Sequence, residues 1–135
     1  MYIAMEEFSI GEVAKQTGVT QYTLRYYEDE GLISPVRRAP NGHRRYIVQD
    51  VQRIVFVTRL RASGMPIADI KRYVDLVRRG DATIQDRLAL LESHRRNVQL
   101  RLEEIGQYLK MIESKIESYH RSNRLMEIDR GSLKR

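Results

Sequence analysis

Residues 84–119 read IQDRLALLESHRRNVQLRLEEIGQYLKMIESKIESY, and their apolar pattern is the strongest signal in the chain. Apolar side chains recur at alternating steps of four and three residues, and only Arg95 interrupts the series. The apolar positions are Ile84, Leu88, Leu91, Val98, Leu102, Ile105, Leu109, Ile112, Ile116 and Tyr119. A 3.5-residue repeat kept for about five heptads predicts a coiled-coil helix, because supercoiling keeps a narrow stripe facing one partner.

The length of this helix indicates a second chain. At 1.5 Å per residue it extends about 54 Å, whereas the remaining residues form a body only about 25–30 Å across. Much of the stripe would overhang that body, so we predict a homodimer rather than the alternative, one amphipathic helix folded on its own domain. Charged Arg95 at the seam disfavours wrong registers. The repeat leaves open whether the helices run parallel or antiparallel. The predicted dimerisation residues are Leu88, Leu91, Arg95, Val98, Leu102, Ile105, Leu109, Ile112 and Ile116.

The charge distribution points to a polyanionic partner. The chain has 135 residues, 41% of them hydrophobic, enough for one modest globular domain beside the long helix. Its formal net charge is +6, and residues 37–61 contain seven arginines but one acid, Asp50. Such a density of arginine most simply indicates nucleic acid.

The residue types exclude several other classes of protein. The absence of cysteine excludes disulfides, thiolate metal sites and thiol redox switches. The longest buried-looking run, 54–57, is too short for a membrane span, and no signal peptide opens the chain. We therefore expect a cytoplasmic protein without membrane contact. No His pair has metal spacing and no nucleophile-elbow or phosphate-loop motif occurs, so we expect neither an enzyme nor a metal or cofactor site.

Two short helices are predicted near the start of the chain. Ser9-Ile10-Gly11-Glu12 has capping-box spacing, which predicts a helix from Ile10 that Gly18 ends. Thr20 suits the N-cap of a second helix, which Gly31 ends. Such a pair forms a helix-turn-helix, and the exposed face of its second helix enters the DNA major groove. That face carries Gln21, Tyr22, Arg25 and Tyr26.

Residues 32–46 predict a β-hairpin wing. Pro35 and Pro40 oppose helix, and Asn41-Gly42 supplies a tight turn. Guanidinium groups at the tip would bind phosphate oxygens, the alternative being a basic loop that is merely solvated. The tip residues are Arg37, Arg38, Asn41, His43, Arg44 and Arg45.

The segments after the wing predict three more helices. Asp50 suits the N-cap of a helix ending near Ala62, Pro66 suits the first turn of the next, and Thr83 with Asp86 suits a cap of the long helix. We therefore predict a mainly α fold. It comprises a winged helix-turn-helix DNA-binding domain at 8–80, a dimerisation coiled-coil helix at 83–119 and a polar C-terminal tail at 120–135.

Several of these motifs stand at the spacing that they have in one known family of proteins. They are Ser9-Ile10-Gly11-Glu12-Val13-Ala14, Thr23-Leu24-Arg25-Tyr26-Tyr27-Glu28, Gly31-Leu32-Ile33, Asn41-Gly42-His43-Arg44-Arg45-Tyr46 and Arg61-Ala62-Ser63-Gly64-Met65. With the heptads that follow, they resemble the MerR family of bacterial transcription regulators. The resemblance implies a homodimer, joined by an antiparallel coiled coil, on one pseudo-palindromic promoter. It also implies that the dimer bends and untwists the DNA so that RNA polymerase engages it.

The resemblance also assigns residues to the DNA interface. Arg25 matches the arginine of the recognition helix, Arg44 the arginine of the wing, and Arg61 a phosphate-binding residue of the third helix. Tyr26 and Tyr27 match aromatics that contact the backbone or support that contact, and one of them must also serve the core. The predicted DNA-binding residues are Ser9, Thr20, Gln21, Tyr22, Arg25, Tyr26, Tyr27, Arg38, Asn41, His43, Arg44, Arg45, Tyr46 and Arg61.

The signal that such a protein would detect stays open. Metal-sensing and thiol-dependent members of the family use cysteines, and this chain has none. This short chain resembles the branch that senses aldehydes and nitrosative stress. In that branch the reactive cysteine stands at the position of Arg59. Two possibilities remain: a small effector that binds between the coiled coil and the DNA-binding domains, or no effector at all. Candidate residues for that pocket are His94, Tyr108, Tyr119 and His120. An architectural or adaptor DNA-binding protein without effector-dependent regulation is the alternative function.

Overall fold

The computed structural model describes residues 6–133, with side chains to residue 131. Its helices are α1 (Ile10–Thr17), α2 (Gln21–Asp29), α3 (Val48–Ala62), α4 (Ile67–Arg78) and α5 (Ile84–Leu133), with a short 3-10 turn at Asp81–Thr83 before α5. The mainly α fold, the starts of α1 and α2 and the end of α3 are confirmed.

The start of α1 and the turn to α2 follow the local sequence signals. The backbone N–H of Glu12 donates to Ser9 Oγ at 3.2 Å, and the N–H of Ser9 donates back to Glu12 Oε1 at 3.1 Å. Gly18 adopts φ 72°, a left-handed conformation that suits glycine and ends the helix. Thr20 Oγ1 then accepts the N–H of Thr23 at 3.1 Å and begins α2.

One apolar core holds the N-terminal unit, which extends to His94. Val13 of α1, Leu24 of α2, Ile54 of α3 and Ile70 of α4 are each fully buried. Leu90 and Leu91, at the start of α5, pack against this core. Leu91 therefore has intramolecular neighbours at a position that we predicted to face a partner.

The wing is a hairpin without regular strands. In the described part of the chain, the extended pairing consists of two isolated antiparallel bridges, Phe8 with Tyr46 and Arg38 with Arg44. The N–H of Arg45 donates to the carbonyl of Arg37 at 2.8 Å, and Gly42 turns the chain with φ 85°. The N–H of Gly42 donates to the carbonyl of Ala39 at 2.8 Å, and Pro40 takes the second position of this turn, which its fixed φ suits.

Two predicted N-caps are wrong. Helix α3 begins at Val48, two residues before Asp50, and the Asp50 carboxylate accepts the N–H of Ile47 at 2.9 Å from the third helical position. The hydroxyl of Thr83 does not cap α5. It is buried within hydrogen-bond distance of the carbonyl oxygens of Leu76 and Gly80, where it ties the end of α4 to the turn.

The second unit, residues 95–135, consists of the rest of α5 where the structure describes it. The helix continues to Leu133, so the end that we predicted at Tyr119 is wrong, and the predicted tail at 120–135 is helical as far as the structure describes it. Arg121–Arg130 contains good helix formers and neither Gly nor Pro, so helical propensity persists after the heptads stop. Leu102, Ile105, Leu109, Ile112 and Ile116 are each at least half exposed.

Candidate nucleic-acid interface

Helix α2 presents the predicted recognition face to solvent. Leu24 and Tyr27 are buried on one side of the helix, so Gln21, Tyr22 and Arg25 are exposed on the other. Tyr22 is 77% exposed, so its ring is open to contact with a partner. Arg25 Nη2 lies 3.5 Å from Gln21 Oε1, a contact too long to hold the guanidinium in place.

A second basic position joins this surface from α3. The guanidinium carbon of Arg61 lies 6.0 Å from the ring centroid of Tyr26, within cation–π range. Arg61 is exposed and Tyr26 half-buried, so the ring supports the cation from one side and leaves the other side open. The structure thus brings together Tyr26 and Arg61, two residues that the family resemblance assigned to separate helices.

The start of α1 and the wing form one concave surface. Phe8 and Tyr46 exchange two backbone hydrogen bonds, of 2.7 and 2.8 Å, which bring Ser9 beside the wing. A shallow cavity of about 390 Å³ lies between them. First-turn N–H groups and nearby guanidinium groups are the donors that phosphate oxygens accept. The cavity is lined by Ser9, Ile10, Ala39, Asn41, His43, Arg44 and Arg45.

Three other predicted residues shape the wing tip. Arg38 Nη1 donates to the carbonyl of Gly42 at 3.2 Å, and Asn41 Oδ1 accepts the N–H of His43 at 3.0 Å. Both bonds are local and close the turn. All three side chains are exposed, so they remain accessible to a partner.

Glu7 was missed from the sequence, yet it pairs with two of the tip arginines. Its carboxylate oxygens lie 3.1 Å from Arg37 Nη2 and 3.3 Å from Arg45 Nε. Glu7 stands 30 and 38 residues before its partners, and no local pattern signals such a contact. These ion pairs lower the positive charge that the wing offers to a polyanion.

Glu28 joins the recognition helix to the wing. Its carboxylate accepts a 2.5 Å hydrogen bond from Arg44 Nε and one of 2.9 Å from the N–H of Val36. Burial is the largest influence and raises the pKa of Glu28. The hydrogen bonds from Arg44 and Val36, with the charge of Arg44, outweigh it and leave this pKa below the usual value. The hydrogen bond that Arg44 donates to Glu28 likewise raises the pKa of Arg44.

Two tyrosines assigned to the DNA interface belong to the core. Tyr46 is fully buried, so direct contact of its side chain with DNA is a wrong prediction. Tyr27 is 3% exposed, which agrees with the expectation that one of Tyr26 and Tyr27 serves the core. Burial raises the pKa of the Tyr46 phenol, whose oxygen is without a hydrogen-bond partner in the part of the chain described. Tyr27 and Tyr46 are part of the core cluster that holds α2 and the end of the wing.

The candidate effector residues have separate surroundings. His94 Nε2 lies 2.7 Å from Ser63 Oγ at the end of α3, inside the N-terminal unit. Tyr108 donates to Glu104, and this hydrogen bond raises the pKa of the phenol. Tyr119 and His120 are exposed on α5. Their role in effector binding stays a prediction.

Among residues 6–133, no helix is long and apolar enough to cross a membrane. In the same part of the chain, no three His, Asp or Glu side chains come together in a group that could hold a metal ion.

Comparison with known proteins identifies the family. The MerR HTH family regulatory protein model matches residues 8–76, and the model described as MerR, DNA binding matches residues 51–118. An uncharacterised HTH-type transcriptional regulator of Haemophilus influenzae is 35% identical over 94% of this chain and 90% of its own length. The chain belongs to the MerR family.

Solved structures support the same assignment for this MerR-family chain. HiNmlR, a MerR family regulator lacking the sensor domain and bound to promoter DNA, has a TM-score of 0.80 at 34% identity. The match covers 89% of this chain and 95% of that one. A putative MerR family regulator of Listeria monocytogenes has a TM-score of 0.88 at 30% identity, over 95% and 98%. The resemblance inferred from the motifs is confirmed, and the chain is a DNA-binding transcription regulator.

Proposed function

We propose that this MerR-family regulator acts as a homodimer on a pseudo-palindromic promoter, which it bends and untwists to control RNA polymerase. The exposed apolar stripe of the second unit carries the proposal. Leu102, Ile105, Leu109, Ile112 and Ile116 are 50–64% exposed in the single chain. A continuous apolar stripe of this length on one helix face is a typical protein interaction surface.

The dimer explains how one short recognition helix gains specificity. A two-fold dimer places two copies of the α2 face on successive half-sites of a palindrome, at a spacing set by the coiled coil. An antiparallel pair of helices would hold the two N-terminal units at opposite ends of the rod. Basic residues of the two subunits would then hold both flanks of the DNA site while its centre is deformed, a distortion that costs several kcal/mol. We expect this action in the cytoplasm, where bacterial promoters lie, and no catalytic activity.

Replacing Leu102 and Ile105 together by Asp tests the dimer. Unpaired carboxylates in the seam would have to be desolvated, so the double variant should sediment as a monomer and lose binding to a palindromic site. Leu100→Asp is the matched control, since Leu100 and Leu102 are both 64% exposed but Leu100 lies off the heptad stripe. The control should stay dimeric. A double variant that remains a dimer would place the interface elsewhere.

An in-vitro transcription assay on the promoter beside the protein's own gene tests the regulatory step. We expect the dimer to change transcript levels, and the monomeric double variant to have no effect at the same concentration. Tight promoter binding with unchanged transcript would refute control of polymerase and favour an architectural protein.

A further inference from the structure

A cavity of about 330 Å³ lies within the N-terminal unit, and none of the residues assigned to DNA lines it. Its walls come from the segment Leu32–Ser34, from α3 and α4, and from Arg87 in the first turn of α5. A volume of this size falls in the range of small-molecule sites. The cavity thus adjoins the first residues of the wing, both helices that follow the wing, and the start of the long helix.

The inner wall of the cavity is apolar. Leu32, Val57 and Val74 line it, and their side chains are at least nine-tenths buried. Phe56 and Tyr73 add two rings with centroids 5.5 Å apart, tilted by 47°. Phe56 is 39% exposed, so the aromatic pair is only partly covered by the protein itself. Such a wall suits a flat apolar body.

The charged lining is entirely cationic. Arg53 and Arg87 line the cavity with three neutral polar residues, Ser34, Gln49 and Gln52, and its lining includes neither Asp nor Glu. Arg87 is already fixed, because its Nε donates to Thr83 Oγ1 at 3.1 Å and its Nη2 to the carbonyl of Gly80 at 2.7 Å. An anion would therefore meet a pre-organised guanidinium, which lowers the entropy cost of binding.

We propose that this cavity binds a small organic anion with an aromatic body, such as an aromatic carboxylate. The rings and buried aliphatic side chains receive the apolar body, and Arg53 and Arg87 receive the carboxylate. The anion would contact α3, α4 and α5 together, which makes the site suitable for effector control of the proposed function.

A second copy of the chain is a poorer occupant. Residues 121–130 of α5 expose Leu125, Met126 and Ile128, but they include three arginines against two acids. A net positive segment is mismatched to a cavity whose charged residues are arginines. An anionic small molecule matches both the apolar wall and the charge.

The test uses the full-length protein without DNA and two probes of equal shape, 2-naphthoate and its uncharged analogue 2-naphthamide. Methyl resonances of Val57 and Val74 are followed by NMR while each probe is added. We expect saturable shifts with naphthoate and much weaker binding of naphthamide. Arg53→Gln should weaken naphthoate binding about tenfold, as expected for one charge-assisted hydrogen bond.

Arg59→Gln is the control, since it removes the same charge from the same helix at an exposed residue outside the cavity. It should leave naphthoate binding unchanged. Three results would overturn the proposal: no shift at Val57 and Val74, equal binding of the two probes, or equal effects of the two substitutions. None of them involves DNA, so they leave the DNA-binding function untouched.

Discussion

Replacing Glu28 by Gln should destabilise the N-terminal unit by about 2 kcal/mol at neutral pH. The amide can still accept the N–H of Val36, but it cannot neutralise Arg44. Removing one partner of a fully buried ion pair costs about 3–5 kcal/mol, and of an exposed pair about 0–1 kcal/mol. The side chains of Glu28 and Arg44 are 11% and 14% exposed, largely but not fully buried, so we expect a loss between those limits.

The measurement is chemical denaturation of both proteins at one fixed concentration, with Glu30→Gln as control. Glu30 also belongs to the end of α2 and pairs with Lys71 at 3.4 Å, but those side chains are 46% and 44% exposed. The control should change the unfolding free energy by less than about 0.5 kcal/mol. Equal effects of the two substitutions would refute the assigned importance of the buried pair.

The pH dependence of stability checks independently that folding lowers the pKa of Glu28. Because the pKa of Glu28 is lowered in the folded protein, its contribution to stability is present above the ordinary carboxyl pKa. That contribution is lost as pH falls through the lower, folded value. The difference between the parent and Glu28→Gln should therefore be largest near neutral pH and shrink below about pH 4. A difference that stays constant to pH 3 would contradict the pKa assignment.

Two further substitutions test other contacts. Glu7→Gln should release Arg37 and Arg45 and so tighten DNA binding. It should also steepen the fall of log affinity with log salt by about one unit per subunit, which filter binding at several salt concentrations would measure. An unchanged slope would mean that Glu7 does not influence the electrostatic part of DNA binding. Thr83→Val should lower the unfolding free energy by about 1–2 kcal/mol, because the carbonyl partners of the buried hydroxyl lose their hydrogen bond. An unchanged melting temperature in thermal unfolding would show that this contact is dispensable.

The parts of the fold that local chemistry specifies were predictable from the sequence. The capping box at Ser9 and Glu12, the glycine at 18 and the threonine cap at 20 each act within four residues, and the structure has all of them. The heptad pattern likewise predicted a helix. It could not predict where that helix ends, because a heptad reports packing against a partner, whereas a helix can continue past the last heptad through residues of adequate helical propensity.

The parts that depend on long-range contacts were not predictable. Glu28 reaches Arg44 across 16 positions and Glu7 reaches Arg45 across 38, and neither spacing has a sequence signature. Alignment with family motifs gave Tyr46 a place at the DNA interface, although its ring is fully buried. A motif gives the position of a side chain in the chain and leaves its direction to tertiary packing.

The acidic partners of the wing arginines bear on how the wing can bind phosphate. A guanidinium group has five N–H donors, one on Nε and four on the two Nη atoms. Glu28 and Glu7 engage Arg44 and Arg45 through Nε, so the four Nη donors of each arginine are not used by these contacts. The carboxylates reduce the net charge of the wing, and therefore the salt-dependent, sequence-independent part of DNA affinity. In return they fix the direction of each fork before DNA arrives, so less side-chain entropy is lost on binding. Pre-oriented forks of moderate net charge favour a bound complex of defined geometry over indiscriminate attachment to DNA, which is what the proposed deformation of one promoter would require.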